Sequence, residues 1–550
     1  MRINLGFASL ITLGLLSGFV FAIIAAIMYF AGNISWAWML AITIIFNLVM
    51  WLVGPTLSDF MYRWFYRATF YKEEDLKGKK FATFIRKVCD KHKIPYPTIG
   101  IIPDNNPTAF TYGSGPWNSR IVLSEGLFHY LNEDELEAVI AHELGHIVHK
   151  DFIVMAVASL LLQILYQLYV IFARGSMSRG SALGKRGSKD DDGSSLIIIG
   201  YVSLLFYYIG MYVLLFLSRL REYYADEFSA QETGDPNLLS SALIKIAYGI
   251  AVVPDTQKTA HLLNSTRALG VFDFKAAESV GLVVEADHHH KGAMEKAFLF
   301  DMVNPWAKLL ELKSTHPLTG KRISALCSMT SKPLFNINQI KKKDVDYGRL
   351  WQGFFVDLAV VCLPTLIFLT TLIALIYGSI TELIPFKPVL FGGFALFVLA
   401  AWLKVSYRYP KTSFKKTTVA ALMSDLYASP IKGQPVELEG KAVGKGQAGN
   451  IVSEDMMFQD STGLLYLNYE GAVPFFGNLL FGISKVKHLV GKRAQARGWF
   501  VRGVSQHMEL AQFEADGELI KSYVRFWGVF GYIFSVLLLG AVVFFLYLIY

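Results

Sequence analysis

Asn132 to Lys150 reads NEDELEAVIAHELGHIVHK, and this order of residues specifies a helix. Asn132 is a good N-cap, and Glu135, three residues on, completes a capping box. Glu133, Asp134 and Glu135 put negative charge in the first turn, where the helix dipole favours it. Leu136, Val139, Ile140, Leu144 and Ile147 then recur at helical spacing. On such a helix His142 and His146, four apart, leave the same face, and their ring nitrogens can share one metal ion. Glu143 follows the first histidine, as a general base acting on a metal-activated water would.

Two histidines do not complete a catalytic zinc site, which needs a third protein ligand. An apolar hairpin follows the motif, and the chain re-emerges as RLREYYADEFSAQETGD from Arg219. Glu222 and Asp226 lie four apart there, on one helix face. Glu222 is the best candidate for the third ligand, because the hairpin returns it to the side of the first helix. Asp226 is placed to orient a ligand histidine from behind. The alternative is a solvated face on which both carboxylates pair with Arg219 or Arg221.

The rest of the chain says membrane. Of 550 residues 53% are hydrophobic, and apolar runs near 7–31, 36–54, 152–173, 195–217, 353–377, 388–404 and 528–549 approach the length that crosses a bilayer. The first run lacks a small-residue cleavage site and reads as a retained anchor. Arg63, Arg67, Lys72, Lys77, Lys79 and Lys80 after the second run, and Lys404, Arg408, Lys411, Lys415 and Lys416 after the sixth, place those loops in the cytoplasm. The Gly/Ser-rich loop from Arg174 to Ser194 is basic as well and is outvoted. The expectation is a multi-pass protein of the cell membrane (the inner membrane in a bacterium) with the motif facing the cytoplasm.

The net charge of +8 suits positive-inside loops and anionic lipid, and no nucleic-acid module accompanies it. Cys89, Cys327 and Cys362 are few, far apart and in no C-x-x-C pattern; they do not indicate a disulfide framework or a thiolate zinc site, and they suit a reducing compartment. His288-His289-His290 reads as an exposed turn, since consecutive histidines cannot all face one metal. Asp357, near the start of the fifth span, is expected to snorkel to the interface.

Between the second span and the motif, Phe81 to Lys93 reads as a helix, and Ile94–Ile102, Thr108–Tyr112 and Arg120–Leu123 as strands. An edge strand of that small sheet can hold an extended peptide. Further on, SFKKTTVAALMSDL from Ser413 reads as an amphipathic helix on the membrane surface. Glu437–Val443, Leu464–Tyr469, Arg493–Val501 and Met508–Phe513 suggest a small antiparallel barrel, OB-like in class, that recognises a protein partner or regulates. The expected organisation is a transmembrane hairpin over 1–54 and an α+β domain over 55–350, interrupted by a hairpin over 152–217. A transmembrane pair over 351–410, a β-rich module over 411–525 and a last span over 526–550 complete it.

The sequence His142-Glu143-x-x-His146, a membrane hairpin, then Arg221-Glu222-Tyr223-Tyr224-Ala225-Asp226 resembles the membrane zinc metallopeptidases of the HtpX type, relatives of the CAAX prenyl endoproteases. Ile121 to Asp151 is similar to that family throughout, and Ser314-Thr315-His316-Pro317-Leu318 with Arg322-Ile323 is similar to its S-T-H-P motif. The resemblance covers residues 60–330. It implies a zincin-like (gluzincin) peptidase domain with one Zn²⁺ per chain on His142, His146 and Glu222, and Glu143 as base. It further implies peptide or membrane-protein substrates, with quality control of membrane proteins as the role. His316 would stand near the reacting carbonyl, or else serve structure beside Pro317. Thr108-Ala109-Phe110-Thr111 stands where the family usually has an N-A-F-A-like strand, which makes Ala109 and Phe110 candidates for substrate contact. A prenyl-peptide protease and a non-catalytic zinc-containing assembly protein are the alternatives.

Overall fold

The computed structural model describes residues 36–174, 192–252, 291–337, 345–381, 383, 385–445, 454–473, 476–503 and 506–549. The apolar run 7–31, most of the loop after Arg174 and the His288–His290 run lie outside them. Among the described residues six helices are long and apolar enough to span a bilayer, and they correspond to the other six runs.

The chain enters on helix α1 (Trp36–Tyr66), which passes Pro55 and the expected boundary at 54 without ending. A four-stranded sheet follows, formed by β1 (Thr69–Tyr71), β2 (Thr98–Ile102), β3 (Ala109–Gly113) and β4 (Ser119–Ser124) in the order β1-β2-β4-β3. β3 is thus an edge strand, antiparallel to β4. Helix α2 (Lys80–His92) lies between β1 and β2, and the short α3 (Glu125–Tyr130) follows β4. The motif helix α4 (Glu133–Val148) begins as its sequence dictates. Asn132 Oδ1 accepts from the Glu135 N–H at 2.8 Å, and Glu135 Oε2 accepts from the Asn132 N–H at 3.0 Å. Glu135 is buried and also takes Ser241 Oγ at 2.7 Å and Lys245 Nζ at 2.8 Å, tying α4 to the helix that carries them.

Lys150, in the left-handed region at φ 58°, turns the chain directly from α4 into the membrane helix α5 (Asp151–Tyr169). The return helix α6 (Asp192–Thr233) is a single element of 42 residues. The expected division at Ser218, between a span and a second helix, is therefore a change of polarity and not of conformation. Gly200 and Gly210 lie inside it without breaking it, no Pro occurs in it, and it ends before Gly234, at φ +76°. Helices α7 (Pro236–Val252), α8 (Lys291–Val303), α9 (Pro305–Glu311) and α10 (Thr319–Cys327) complete the soluble layer behind α4. Their apolar faces share one core with α2, the sheet and α4, through residues such as Ile85, Ile121, Leu144, Leu243, Phe298 and Ile323.

Spans α11 (Tyr347–Thr381) and α12 (Phe386–Arg408) lead to the C-terminal module. The expected surface helix after Ser413 is not formed. Lys415–Lys416 is a two-residue strand, β5, and only α13 (Val419–Met423) is helical, capped by the Thr418 side chain. Val419, Ala420, Leu422 and Met423 are buried in the common core, so their apolar pattern serves protein packing and not a lipid surface. Strands β6 (Gln434–Lys445), β7 (Met456–Gln459), β8 (Leu464–Asn468), β9 (Arg493–Arg502) and β10 (Gln506–Ala515) close a five-stranded barrel in the order β6-β7-β8-β10-β9-β6. Its β8–β10 pair is parallel and the others are antiparallel, so the barrel is mixed. β11 (Glu518–Lys521) extends β10, and α14 (Val524–Ile549) is the last span.

The barrel is docked on the soluble layer. Arg502 is fully buried, donates to the Ala297 carbonyl at 2.9 Å and stacks on Phe300 with its guanidinium carbon 3.9 Å from the ring centre. Burial lowers its pKa to about 10. Asn304 Nδ2 donates to the Leu426 carbonyl at 2.8 Å. Asp357 does not snorkel. It is buried and accepts from Trp306 Nε1 at 2.9 Å, Tyr407 OH at 2.6 Å and Ser429 Oγ at 2.5 Å, joining α9, both adjacent spans and the segment before the barrel. Three donors satisfy the carboxylate inside the protein, which removes the reason to reach for water.

Candidate metal centre

His142 and His146 project from α4 toward α6, and the helices can meet there because Gly145 has no side chain. A Cβ at Gly145 would lie 3.1 Å from Ala225 Cα. This crossing puts Glu222 opposite the two imidazoles. His142 Nε2 and His146 Nε2 are 3.3 Å apart, and each is 3.6 Å from a Glu222 carboxylate oxygen. Among the described residues these three form the one His/Cys/Asp/Glu group able to hold a metal ion. Ligands about 2.0–2.1 Å from a tetrahedral Zn²⁺ lie roughly 3.3–3.4 Å from one another, so the donor atoms already have the spacing of such a site.

Each histidine is oriented from behind. Asp226 Oδ1 lies 2.9 Å from His142 Nδ1, as expected, and Asp226 is itself gripped by Arg322 through Nε at 2.9 Å and Nη2 at 2.5 Å. Asp151 Oδ2 lies 2.6 Å from His146 Nδ1, and Arg221 pairs with the other Asp151 oxygen. In both cases a carboxylate on Nδ1 leaves Nε2 for the metal, the arrangement that fixes tautomer and ring direction. Arg322 is fully buried; desolvation works against its charge, but Asp226 and Glu222 outweigh that and raise its pKa. Arg219 does not pair with Glu222 or Asp226; it donates to the carbonyls of Glu311 at 2.9 Å and Ser314 at 2.7 Å. Ser218 Oγ donates to the Thr315 carbonyl at 2.9 Å. These bonds fasten the Ser314–Pro317 segment to α6, and His316 Nδ1 then sits 3.1 Å from Glu222 Oε2.

Glu143 is buried on the same helix face as the sheet, where Thr111 Oγ1 donates to its Oε2. Burial pushes the carboxyl above its usual range, while His146, His142 and Thr111 pull it back. Thr111 comes from the edge strand β3. Ala109 and Phe110 are fully buried, Phe110 against Tyr62, Tyr112 and Val122, so neither presents a side chain to a cleft.

Residues 75–330 match the family described as Peptidase family M48. The Protease HtpX homolog of Pyrococcus abyssi is 32% identical over 326 residues, which cover 58% of this chain and 96% of that protein. The chain belongs to peptidase family M48. The M48 match spans β2 to β4, α4 to α6 and the Ser314–Pro317 segment, and the C-terminal barrel lies beyond it. The Protease HtpX homolog of Pyrococcus furiosus is 31% identical over 315 residues, 57% of this chain and 93% of that one. The crystal structure of S. mikatae Ste24p aligns with TM-score 0.35 and 17% identity, over 57% of this chain and 64% of that chain.

Asp151 and Thr111 were not picked out by sequence reasoning. Asp151 carried a signal, an acidic residue at the mouth of a membrane span and five positions after a ligand histidine. Thr111 carried a weaker one, a hydroxyl inside an otherwise apolar strand.

Proposed function

We propose that this M48 chain is a zinc-dependent endopeptidase of the cell membrane, with one Zn²⁺ per chain and its site facing the cytoplasm. The observation that carries the reading is the conjunction of the His142–His146–Glu222 donor set with a buried Glu143 one residue from the first ligand. A Zn²⁺ held there would polarise the scissile carbonyl and acidify a water.

Glu143 accepts a proton from the attacking water, a step that its desolvation favours, and delivers it to the more basic leaving nitrogen. Thr111 fixes the rotamer of Glu143 from the edge strand. Asp226 and Asp151 hold the histidine rings, and Arg322 keeps Asp226 in place. His316, beside Glu222, orients that ligand and offers its ring as a hydrogen-bond donor to the developing oxyanion. Ala109 and Phe110 support substrate by shaping the edge of β3 and not by side-chain contact. Unfolded membrane proteins are the substrate class, in line with quality control, and the gluzincin assignment follows from a glutamate as third ligand. The barrel order β6-β7-β8-β10-β9 with a parallel β8–β10 pair supports an OB-like module for a protein partner.

The test is cleavage of an unfolded membrane protein by zinc-loaded chain and by the Glu143→Gln variant. Loss of turnover on the order of 10³-fold with zinc retained is expected. Equal cleavage by both would remove Glu143 as base. A Glu222→Gln variant with undiminished zinc affinity would remove the third ligand. The hydrogen bond from Thr111 to Glu143 counts against a purely structural metal, for which a positioned base has no use.

A further inference from the structure

Strand β3 and helix α1 run side by side, and the pairing gives the candidate cleft a direction. Ser114 Oγ, just past β3, donates to the Trp51 carbonyl of α1 at 2.8 Å. Tyr112 OH donates to Asp59 at 2.6 Å, and the Phe110 and Tyr62 ring centres are 5.3 Å apart. From Trp51 to Tyr62 a helix rises about 16 Å, and from Ser114 to Phe110 a strand spans about 13 Å, so the two are close to collinear. The apolar run of α1 precedes the sheet in the chain, so Trp51 to Tyr62 leads from the membrane side toward the soluble layer, and β3 lies along the same line. Its Gly113 end faces the bilayer.

Three further features agree. Past Pro55, α1 exposes Leu57, Phe60, Met61, Trp64 and Phe65 as one apolar stripe, at the level of Phe110 and Tyr112. The turn after β3 carries Trp117, 60% exposed, its ring 6.3 Å from that of Trp51. The metal ligands are themselves set at the membrane face, His146 through the first residue of α5 and Glu222 on α6.

The outer edge of β3 carries no further strand among the described residues. The Ser124 N–H donates to the Thr108 carbonyl, so by antiparallel alternation Ala109, Thr111 and Gly113 turn their main-chain groups to the free side. Ala109 and Thr111 are buried, and Thr108 and Gly113 at the two ends are partly exposed, so a chain can reach the strand from the Gly113 end, which is the end toward α1's span.

We propose that the substrate enters this cleft from the bilayer, as the chain continuing from the C-terminal end of a transmembrane segment, and that the lipid interface itself holds the Trp117 turn. A peptide added antiparallel to β3, the stronger ladder, has its N-terminal flank beside Gly113 and its C-terminal flank beyond Ala109. The residue anchored in lipid therefore precedes the scissile bond. From the level of Trp51, where Ser114 sits, to that of Thr111 is about 10 Å, or roughly three extended residues, so cuts fall within about ten residues of the membrane boundary. This rests on the peptidase reading above.

The experiment uses full-length, zinc-loaded chain in phosphatidylcholine vesicles with one unfolded tail in three forms. The tail follows a single span, precedes a single span, or is free in solution, and it always lies on the side of the active site. The form that follows a span is expected to be cut on the order of ten-fold faster than the form that precedes one, with the sites mapped by mass spectrometry close to the span. Equal rates or the reverse preference would overturn the polarity. Cleavage of the free tail alone would overturn bilayer entry and leave the peptidase reading standing. No cleavage of any form would remove both. Independently of activity, an environment-sensitive label at Trp117→Cys should be quenched several-fold more by spin-labelled lipid than one at Asp90→Cys. Asp90 lies on α2 next to Lys91, which pairs with Glu232 at the far end of α6. Equal quenching at both sites would overturn the contact of the turn with lipid.

Discussion

Asp151 Oδ2 lies 2.6 Å from His146 Nδ1, so the residue that opens a membrane-length helix also orients a histidine of the candidate metal centre. Asp151→Asn replaces a charged acceptor by an amide and leaves Arg221 without its partner. Zinc affinity, measured by competition with a chromogenic chelator, should fall about 10- to 100-fold, as for other outer partners of ligand histidines. Asp226→Asn should act alike through His142. Unchanged affinity in both variants would mean that the rings are held by packing alone.

Gly145 is where α4 and α6 touch. A valine there would force its Cβ against Ala225 Cα, at 3.1 Å, and against Phe228 Cβ, at 3.3 Å. Separating the helices should cost about 1–3 kcal/mol of stability and draw Glu222 away from the histidines. Thermal midpoint and zinc affinity should drop together, Gly145→Ala falling between. A folded Gly145→Val protein with native zinc affinity would contradict this account of the crossing.

Asp301 sets a pH dependence away from the metal. Burial raises its pKa from 3.8 to about 6, although the Gly320 N–H donates to it at 2.9 Å. Because the folded protein holds this proton more tightly than the unfolded chain, the associated stability is fully present below about pH 4 and is lost as pH rises through about 6. Asp301→Asn stays neutral and keeps an acceptor for Gly320. It should gain on the parent by on the order of 2 kcal/mol at pH 7.5 and little at pH 4. Thermal midpoints of both proteins across that range decide the matter; a constant difference would show that Asp301 is not the titrating group.

Asp357 joins parts of the chain that are distant in sequence. Asp357→Leu removes the acceptor for Trp306, Tyr407 and Ser429 at once and leaves two buried donors and one half-buried donor without it. A loss on the order of 2–4 kcal/mol is expected, with faster limited proteolysis between Arg408 and Gln434. Native resistance in that segment would mean that the barrel is held by Arg502 and Asn304 without this hub.

What could be read from the sequence was what short spacings encode. Asn132, Glu135, His142 and His146 belong to one helix, so cap and paired ligands follow from local order. Glu222 needed one further step, the return of a hairpin. The strands of the barrel were visible as alternation, but its closure was not, because the parallel β8–β10 pair joins segments separated by β9. Asp357 was misread for the same reason. Its partners lie 50 to 72 residues away, and without them a carboxylate near a span end is best served by water. The run after Ser413 had a surface helix's periodicity, yet its apolar face was claimed by protein.

The division of the ligands between α4 and α6 also orders events in time. His142 and His146 are synthesised before the α5–α6 hairpin and Glu222 after most of it, and Asp151 and Arg221 meet only when both ends of the hairpin lie together. A nascent chain ending before Glu222 should therefore bind zinc weakly, which chelator competition on such truncations would show. The donor set is complete only once both ends of the hairpin lie together, so metal binding would report finished insertion.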